Sequence, residues 1–484
     1  MAVRLVFIAL CFSLIPLAIA GNLTEQNEAK TGKIIAKLVE RYGGSDTLSS
    51  LDSIVVKHDN VFVSVGQSKK PTPPWDTSTA TGVSAIDLAA ERFAISNRGS
   101  GGGFEYHEAT LINDTQSYEL DYRSGYARPI EDPNYEQSTG PFVRVTPVLL
   151  VKALQDHART AHFLGKASIE DREHYVVRFA MNQGPAISLY VDVNSHLITH
   201  SERIVPGFGM ISYDFHDYEI ISGIPFNRTF QLHQDGELSM KRTNQSISVN
   251  QSIDPYLSID QSLTVTSPIP EDPMSLREVA DGVYLIGGNR TYGMFVEMED
   301  HVIAVGGVAG LNDRLEELRR VTQKPVKYGV LTHHHSDHLL AVSGYADIGA
   351  TVVTPTAHET VVSEAAGDVD VTIKTVDSKL LLSDGSRDVV ILDIGPTPHS
   401  EHLLVTWLPK ERVLFEADHF SMPLVGPVPP AVDSTRGFAD ALTRLALEPT
   451  LILSAHSPRP GTMLDLAASL DRTSKKVTMV SDAR

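Results

Sequence analysis

The feature that most constrains the fold is one short stretch, residues 326–338, which reads VKYGVLTHHHSDH. Its first half alternates in polarity, ends in β-branched and apolar residues, and predicts a short buried strand. Its second half places His333, His335, Asp337 and His338 within six positions. The apolar run that follows predicts a helix over 339–348. The chain must therefore form a strand, an abrupt turn and a helix, with four coordinating side chains on the turn.

The chemistry of these four side chains points to metal ions. Imidazole and carboxylate groups are ligands that Zn²⁺ binds well. Four of them on one strand-to-helix turn cannot all reach a single ion with good angles. The spacing therefore favours two ions a few ångströms apart, with His333 and His335 on one and Asp337 and His338 on the other. A histidine-rich surface loop is the alternative, and the regular spacing disfavours it.

The pattern His-x-His-x-Asp-His resembles the signature of the metallo-β-lactamase superfamily. The resemblance implies a third histidine after a Gly- or Pro-rich turn, and GPTPHS supplies His399. It implies a bridging aspartate after a strand, and WLPKERVLFEAD ends at Asp418. It implies a last histidine after the final strand, and LSAH supplies His456. The implied ligand set is His333, His335 and His399 on one ion, Asp337, His338 and His456 on the other, and Asp418 between them.

Other histidines compete for these roles. His402 lies three residues after His399 and is an alternative ligand, but His399 sits on the turn itself and is favoured. His334 lies between two ligands and should point away from them, as neighbours in an extended segment do. His358 and His419 either support the ligands, face the substrate or are ordinary polar residues.

One departure from the family pattern concerns the residues that surround the turn 333–338, called the metal turn below. The family usually carries an aspartate after the third strand, in a V-D-x-G turn that orients the ligands. This chain has Val305-Gly306-Gly307 there. Because the ligands themselves are intact, we expect a metal site whose surrounding support is altered.

The region 271–484 alternates strands and helices around a hairpin near residue 409. This order predicts two sheets between layers of helices, the αββα sandwich that the resemblance also implies, in a chain of the α+β class. One strand is predicted over 276–286. An amphipathic helix is predicted over 311–321, with Val321 among its inward-facing residues.

The region 21–270 predicts a different architecture. A helix over 25–42 precedes a mainly antiparallel meander, which one helix over 147–160 interrupts. By architecture alone, this order resembles the open half-barrel of periplasmic lipoprotein carriers. The prolines at 268, 270 and 273 predict a domain boundary near residue 270.

Two stretches of this first region predict mobile loops. Residues 68–81 contain three prolines, two lysines and a tryptophan. Residues 98–104 read RGSGGGF, and lack the lysine and the strand-then-helix context of a phosphate-binding loop. The histidines of this region are scattered singly, so no catalytic constellation is expected here.

The first twenty residues predict a secretory signal peptide. Arg4 precedes an apolar run, and Ala18-Ile19-Ala20 is a cleavage pattern, with Gly21 as the first mature residue. The alternative is an uncleaved membrane anchor. Cleavage predicts a periplasmic or secreted protein with no stable membrane span. It would also remove Cys11, the one cysteine, so neither a disulfide nor a thiolate ligand is expected in the mature chain.

The net charge of the chain disfavours some classes of binding partner. The chain carries 41 basic and 60 acidic residues, a formal net charge of −19. Such an acidic surface is a poor match for nucleic acid or anionic lipid. We expect a small-molecule substrate, and the sequence does not indicate an oligomeric state.

The predicted chemistry is hydrolysis by two divalent ions, most simply Zn²⁺. The two ions would lie about 3.5–4 Å apart and share a hydroxide. Asp337 or Asp418 would pass the proton to the leaving group. By resemblance, β-lactamases carry Cys or Ser at the position of Asp418, whereas thioesterases, lactonases and phosphodiesterases carry Asp. An ester, thioester or lactone substrate is therefore favoured over a β-lactam. By the same resemblance, the iron-containing redox members carry Glu at the position of His335, which disfavours that branch. A non-catalytic carrier of an apolar ligand is the rival from another class.

Overall fold

A computed structural model describes residues 17–472 of the chain. Most of the predicted signal peptide, residues 1–16, lies outside the described residues. Among the residues that are described, no helix has the length and hydropathy needed to cross a membrane.

The first half of the chain is mainly β-structure, with a long helix at its start and further helices between strands. Its elements are α1 (Leu17–Arg41), α2 (Gly44–Ser49), β1 (Ser53–Val63), β2 (Thr77–Asp87), β3 (Arg92–Gly101), β4 (Phe104–Ile112), β5 (Ser117–Asp121), β6 (Tyr126–Ile130), α3 (Tyr135–Arg144), α4 (Pro147–Asp156), β7 (His162–Ile169), β8 (Arg172–Phe179), β9 (Ile187–Asp192), β10 (Ile198–Val205), β11 (Gly209–Ile221), β12 (Ile224–Gln234), β13 (Glu237–Val249), α5 (Asp254–Leu257) and β14 (Thr264–Val265).

The second half alternates strands and helices. Its elements are β15 (Ser275–Ala280), β16 (Val283–Gly288), β17 (Thr291–Glu297), β18 (Val302–Val305), α6 (Leu311–Leu318), β19 (Val326–Val330), α7 (Val342–Asp347), β20 (Thr351–Pro355), α8 (Glu359–Ala365), β21 (Ile373–Val376), β22 (Lys379–Ser383), β23 (Asp388–Asp393), β24 (Leu404–Leu408), β25 (Val413–Glu416), α9 (Asp433–Arg444), β26 (Leu451–Ser454) and α10 (Met463–Asp471). Short 3-10 turns occur at Ala158–Thr160, Ser336–His338 and Thr356–His358.

The chain forms two compact units. One comprises the described residues up to Asp52 together with Thr139–Gly236, and the other comprises Ser53–Ser138 and the described residues from Glu237 onward. The domain boundary predicted near residue 270 separates two regions that would fold independently, and it stays a prediction.

The first unit pairs the strands β12-β11-β10-β9-β8-β7 in an antiparallel order, as the predicted meander requires. The predicted first helix is present, and Leu38 within it and Tyr42 directly after it are completely buried. The Asn27 side chain of α1 donates to the Phe163 carbonyl of β7 at 2.8 Å, which ties the helix to the edge strand.

The second unit begins with the strands β14-β6-β5-β4-β3-β2-β1-β13, which are antiparallel except for the pair β14–β6. Side chains alternate between the two faces of a strand. On β4, Ala109 and Leu111 are buried in an apolar cluster, whereas Glu108 and Thr110 lie on the opposite face. One face of these strands is thus a hydrophobic core and the other is polar.

Two further sheets make up the rest of the second unit. One has the order β15-β16-β17-β18-β19-β20-β21, and the other has the order β22-β23-β24-β25-β26. Val296, Ile303 and Val330 of the first sheet and Ile391 and Leu404 of the second belong to one buried cluster. The two sheets therefore pack face to face, as in other sheet sandwiches.

Helices cover the outer faces of both sheets. Leu315 of α6, Val342 of α7 and Val362 of α8 are buried against the first sheet. Phe438 of α9 and Leu466 of α10 are buried against the second. These layers confirm the predicted αββα sandwich preceded by a large antiparallel β region.

Four local predictions are wrong. Two helices, α3 and α4, interrupt the strands of the first half, where one was predicted over 147–160. The strand predicted over 276–286 is a hairpin, because Asp281-Gly282 turns the chain between β15 and β16. Val321 lies beyond the end of α6 and is 45% exposed. The helix predicted over 339–348 begins only at Val342, because a 3-10 turn and a bend come first.

Candidate metal centre

The predicted strand–turn–helix places the metal ligands at one end of the sandwich. β19 ends at Val330, and His333 to His338 follow on the extended segment and the 3-10 turn before α7. Asp418 comes two residues after β25, and His456 comes two residues after β26. Because β25 and β26 are parallel neighbours, Asp418 and His456 emerge at the same edge of their sheet. The face-to-face packing of the two sheets brings that edge next to the turn after β19.

The first group of side chains consists of His333, His335, His399 and Asp418, with candidate ligand atoms all within 4.8 Å of one another. The Nε2 atoms of His333 and His399 are 3.2 Å apart. Both face Oδ2 of Asp418, at 3.2 Å and 2.9 Å. All three histidines are buried.

The second group consists of Asp337, His338 and His456. The Nε2 atoms of the two histidines are 3.2 Å apart. Oδ2 of Asp337 lies 3.3 Å from His338 and 3.5 Å from His456.

Asp418 lies between the two groups. Its Oδ2 faces the first group, whereas its Oδ1 lies 3.1 Å from Nε2 of His338 and 3.4 Å from Nε2 of His456. Its side chain is only 11% exposed. The structure therefore brings together all seven residues predicted from the sequence, in the grouping predicted for them. Their role as metal ligands stays a prediction.

Electrostatics separates the two groups. Burial, reinforced by His399 and His334, lowers the pKa of His335 to about 3, and burial holds the pKa of His333 well below its usual value. Burial acts in the same direction on His338 and His456, but Asp418 and Asp337 outweigh it and raise the pKa of both. Against the effect of burial, His338, His333 and His399 hold the pKa of Asp418 well below its usual range. His333 and His335 thus offer neutral imidazoles, the form that binds metal.

For three of these histidines, a main-chain carbonyl determines which ring nitrogen is free to bind a metal ion. A carbonyl only accepts, so the nitrogen facing it must carry the proton. Nε2 of His335 donates to the Ser68 carbonyl at 3.0 Å, Nδ1 of His399 to that of Gly102 at 3.3 Å, and Nδ1 of His456 to that of Arg290 at 3.2 Å.

The donor set fits a metal ion. The buried Nδ1 of His335 has no hydrogen-bond partner among the described residues, as suits a nitrogen that binds a metal ion. Histidine ligands commonly donate their other ring nitrogen to a carbonyl in this way.

Two of these carbonyls come from loops that the sequence predicted to be mobile. Ser68 belongs to the segment 64–76, and Gly102 lies at the tip of the β3–β4 hairpin. Gly102 and Gly103 have φ angles of +59° and +81°, and a Cβ on Gly103 would lie 2.8 Å from Pro398. The glycine run is therefore a close-fitting contact against the turn that carries His399. A glycine-rich segment indicates such close approach as well as flexibility, and this was the signal that sequence reasoning missed.

The turn that lacks the usual aspartate supports the site through its backbone. Gly306 has φ +114°, and its carbonyl accepts from the Tyr345 hydroxyl at 2.6 Å. A Cβ on Gly307 would lie 1.7 Å from the His338 carbonyl oxygen, so no side chain fits there. Gly307 thus packs directly against the backbone of the turn at His338, whereas Gly306 bonds to Tyr345 of α7.

The remaining histidines lie outside both groups. His334 points away as predicted, towards the Ser68 carbonyl at 2.9 Å and His358 at 3.2 Å. His402 bonds to Asp393 at 2.7 Å, and its side chain is 40% exposed. His419 contacts the Thr397 hydroxyl at 2.9 Å, next to His399. His419 is therefore placed to support the turn that carries a ligand.

Comparison with known families places the second half of the chain. Residues 293–457 match the model of the metallo-beta-lactamase superfamily. This part of the chain is a metallo-β-lactamase superfamily domain. No curated protein matches the chain.

Solved structures of the same superfamily align with about two fifths of the chain. They include a metallo-beta-lactamase from Pontibacter korlensis (17% identity, 41% of this chain and 97% of that one, TM-score 0.33). They also include the lactamase FIM-1 from Pseudomonas aeruginosa in its mono-zinc form (19% identity, 41% and 95%, TM-score 0.33). A third is the rubredoxin oxygen:oxidoreductase from Desulfovibrio gigas (17% identity, 38% and 56%, TM-score 0.33).

The superfamily domain and its His/Asp cluster together support a metal-dependent hydrolase that binds divalent metal. Members of this superfamily have diverse activities, so the substrate is a separate question.

The structure predicts different outcomes for two neighbouring histidines. We expect His399→Ala to bind less divalent metal than the wild type, because His399 faces His333 and Asp418. We expect His402→Ala to keep wild-type metal content, because His402 bonds to Asp393 instead. Metal analysis of the dialysed proteins measures this, and the reverse result would identify His402 as the ligand.

Proposed function

We propose that this chain is a dinuclear metal-dependent hydrolase of esters, thioesters or lactones. The observation that carries the proposal is the placement of Asp418, whose two carboxylate oxygens each face one group of imidazoles. A carboxylate shared in this way suits two ions held close together.

His333, His335 and His399 would hold one ion, Asp337, His338 and His456 the other, and Asp418 both. Two divalent ions, most simply Zn²⁺, supply Lewis acidity and lower the pKa of water when bound. The nitrogen and carboxylate donors, without any thiolate, suit Zn²⁺ while admitting other first-row metals.

Asp337 is better placed than Asp418 to move a proton. The side chain of Asp337 is 45% exposed, whereas that of Asp418 is 11% exposed and enclosed by four imidazoles. A group that carries a proton to a leaving group must reach both the reacting atoms and solvent. We therefore assign proton transfer to Asp337 and the shared ligand role to Asp418.

A cavity of about 430 Å³ lies beside the second group of ligands and is lined in part by His456. Its walls come from the polar face of β4–β6, from the loop 421–429 and from Arg290. This volume falls within the range of small-molecule sites. The cavity would place a substrate next to the predicted ions, with residues from the first half of the chain selecting it.

The charge of the cavity supports a neutral substrate. Its described lining carries four carboxylates, of Glu108, Glu119, Asp121 and Asp272, against the guanidinium groups of Arg128 and Arg290. Arg128 lies 3.7 Å from Glu119, and Glu108 pairs directly with Asp121 across the strands. Like charges repel at such distances, so an anionic β-lactam would enter less favourably than a neutral lactone or ester.

A hydrolysis screen tests the proposed reaction. We expect the metal-loaded protein to turn over a neutral lactone, aryl ester or thioester better than a β-lactam or a phosphodiester. His335→Ala should lower kcat/KM by at least about a hundredfold, because loss of a ligand costs at least as much as loss of the groups around it.

The matched control for that screen is His162→Ala, a change of the same type at an exposed histidine of β7, which should leave turnover unchanged. Preferential β-lactam turnover would support the lactamase alternative. A native protein without bound metal or turnover would support the carrier alternative.

Cavity charge gives a second test. Burial, together with Asp121 and Glu119, raises the pKa of Glu108, so the assays are run at alkaline pH, where the charged form of its carboxyl is favoured. We expect Glu108→Gln to raise kcat/KM for an anionic ester relative to its neutral analogue, on the order of threefold. Glu105→Gln, on the same strand but outside the lining, is the control. An unchanged ratio in Glu108→Gln would contradict the assignment of this cavity to the substrate.

We also propose that residues 1–20 direct export and are cleaved before Gly21. The support is the sequence pattern of Arg4, the apolar run and Ala18-Ile19-Ala20. N-terminal sequencing of the protein from its native host should begin at Gly21, and a chain that begins at Met1 or Ala2 would contradict export by this route.

A further inference from the structure

The segment 64–76 has a defined internal structure. The Asp76 carbonyl accepts from the Ser64 amide at 2.9 Å, and the Asp76 carboxylate accepts from the Lys69 amide at 2.8 Å. The Asp76 amide in turn donates to the Ser68 hydroxyl at 2.8 Å. Both ends of the segment are therefore tied together through Asp76, and Ser68 is buried at its centre.

This segment docks on the metal turn through its backbone. The Gly66 carbonyl accepts from the Ser336 amide at 3.0 Å. The Ser68 carbonyl accepts from both His334 and His335. The Lys69 carbonyl accepts from the Glu401 amide at 3.1 Å. The segment thus contacts the turn that carries four ligands and the residues just after His399.

One side chain of the segment reaches a predicted ligand directly. The Gln67 amide group donates one N–H to Oδ1 of Asp337 at 2.8 Å and another to Oγ of Ser336 at 3.0 Å. The other oxygen of Asp337, Oδ2, faces His338 and His456. Gln67 therefore donates to the oxygen that points away from the second group, and this hydrogen bond fixes the rotation of the Asp337 carboxylate.

We propose that Gln67 is a positioning residue for the second metal ion, acting through Asp337. The inference rests on the proposed dinuclear site and adds that its second half is completed from the first part of the chain. A site has a lower metal affinity when its carboxylate ligand becomes ordered only as the metal binds. Groups that orient the ligands commonly raise the metal affinity 10- to 100-fold. Because Gln67 does not touch the first group, its removal should weaken one ion selectively.

A cobalt titration of the metal-free full-length protein tests this. Visible absorption should report two binding phases in the wild type, one from the nitrogen-rich group and one from the group with Asp337. We expect Gln67→Ala and the near-isosteric Gln67→Met to weaken the second phase about tenfold. The first phase should stay within about twofold of the wild type.

Gln245→Ala is the matched control. Gln245 also donates to an aspartate, Asp59, at 2.6 Å, but on the β1–β13 pair, outside both ligand groups. It should titrate like the wild type. Equal weakening of both phases by the Gln67 variants, or no weakening, would overturn the inference while leaving the dinuclear site intact. A wild-type protein that takes up no cobalt would overturn the dinuclear site, and this inference with it.

Discussion

One buried carboxylate organises this structure. Asp418 has four imidazole nitrogens within 3.4 Å of its two oxygens, and its side chain is almost completely enclosed. A charge removed from water in this way is expensive unless opposite charge compensates it. The imidazole nitrogens face one another at 3.2 Å within each group, and the low pKa of His333 leaves that ring neutral, so it compensates the carboxylate poorly. Cations between them would satisfy the carboxylate and the facing lone pairs together.

The β-sandwich serves this arrangement by bringing distant ligands to one edge. The metal turn follows β19, Asp418 follows β25 and His456 follows β26. The core between the two sheets is closely packed and apolar, with Phe415, Leu453 and Ala455 fully buried next to these last two ligands. Ligands anchored on such elements hold their positions better than ligands on free loops.

The sequence predicted the site itself more completely than its surroundings. The four side chains of the turn were predicted from residue type and spacing, whereas the resemblance to the superfamily supplied His399, Asp418 and His456 and the sandwich fold. The carbonyls of Ser68 and Gly102 were not readable, since every residue has a carbonyl and its direction depends on contacts far along the chain. The hairpin at Asp281-Gly282 is a different case. Asp-Gly is itself a turn signal, but the apolar residues on both sides of it favoured one continuous strand.

The family match and the functional unit have different boundaries in this chain. The segment that matches the superfamily, residues 293–457, contains every predicted ligand. It lacks Gln67, Ser68 and Gly102, which fix an aspartate and two imidazoles of the site. A recombinant fragment cut to the family match would therefore keep the full set of donors but leave three of them free to rotate. The part of this chain that the site needs is therefore longer than the part that matches the superfamily.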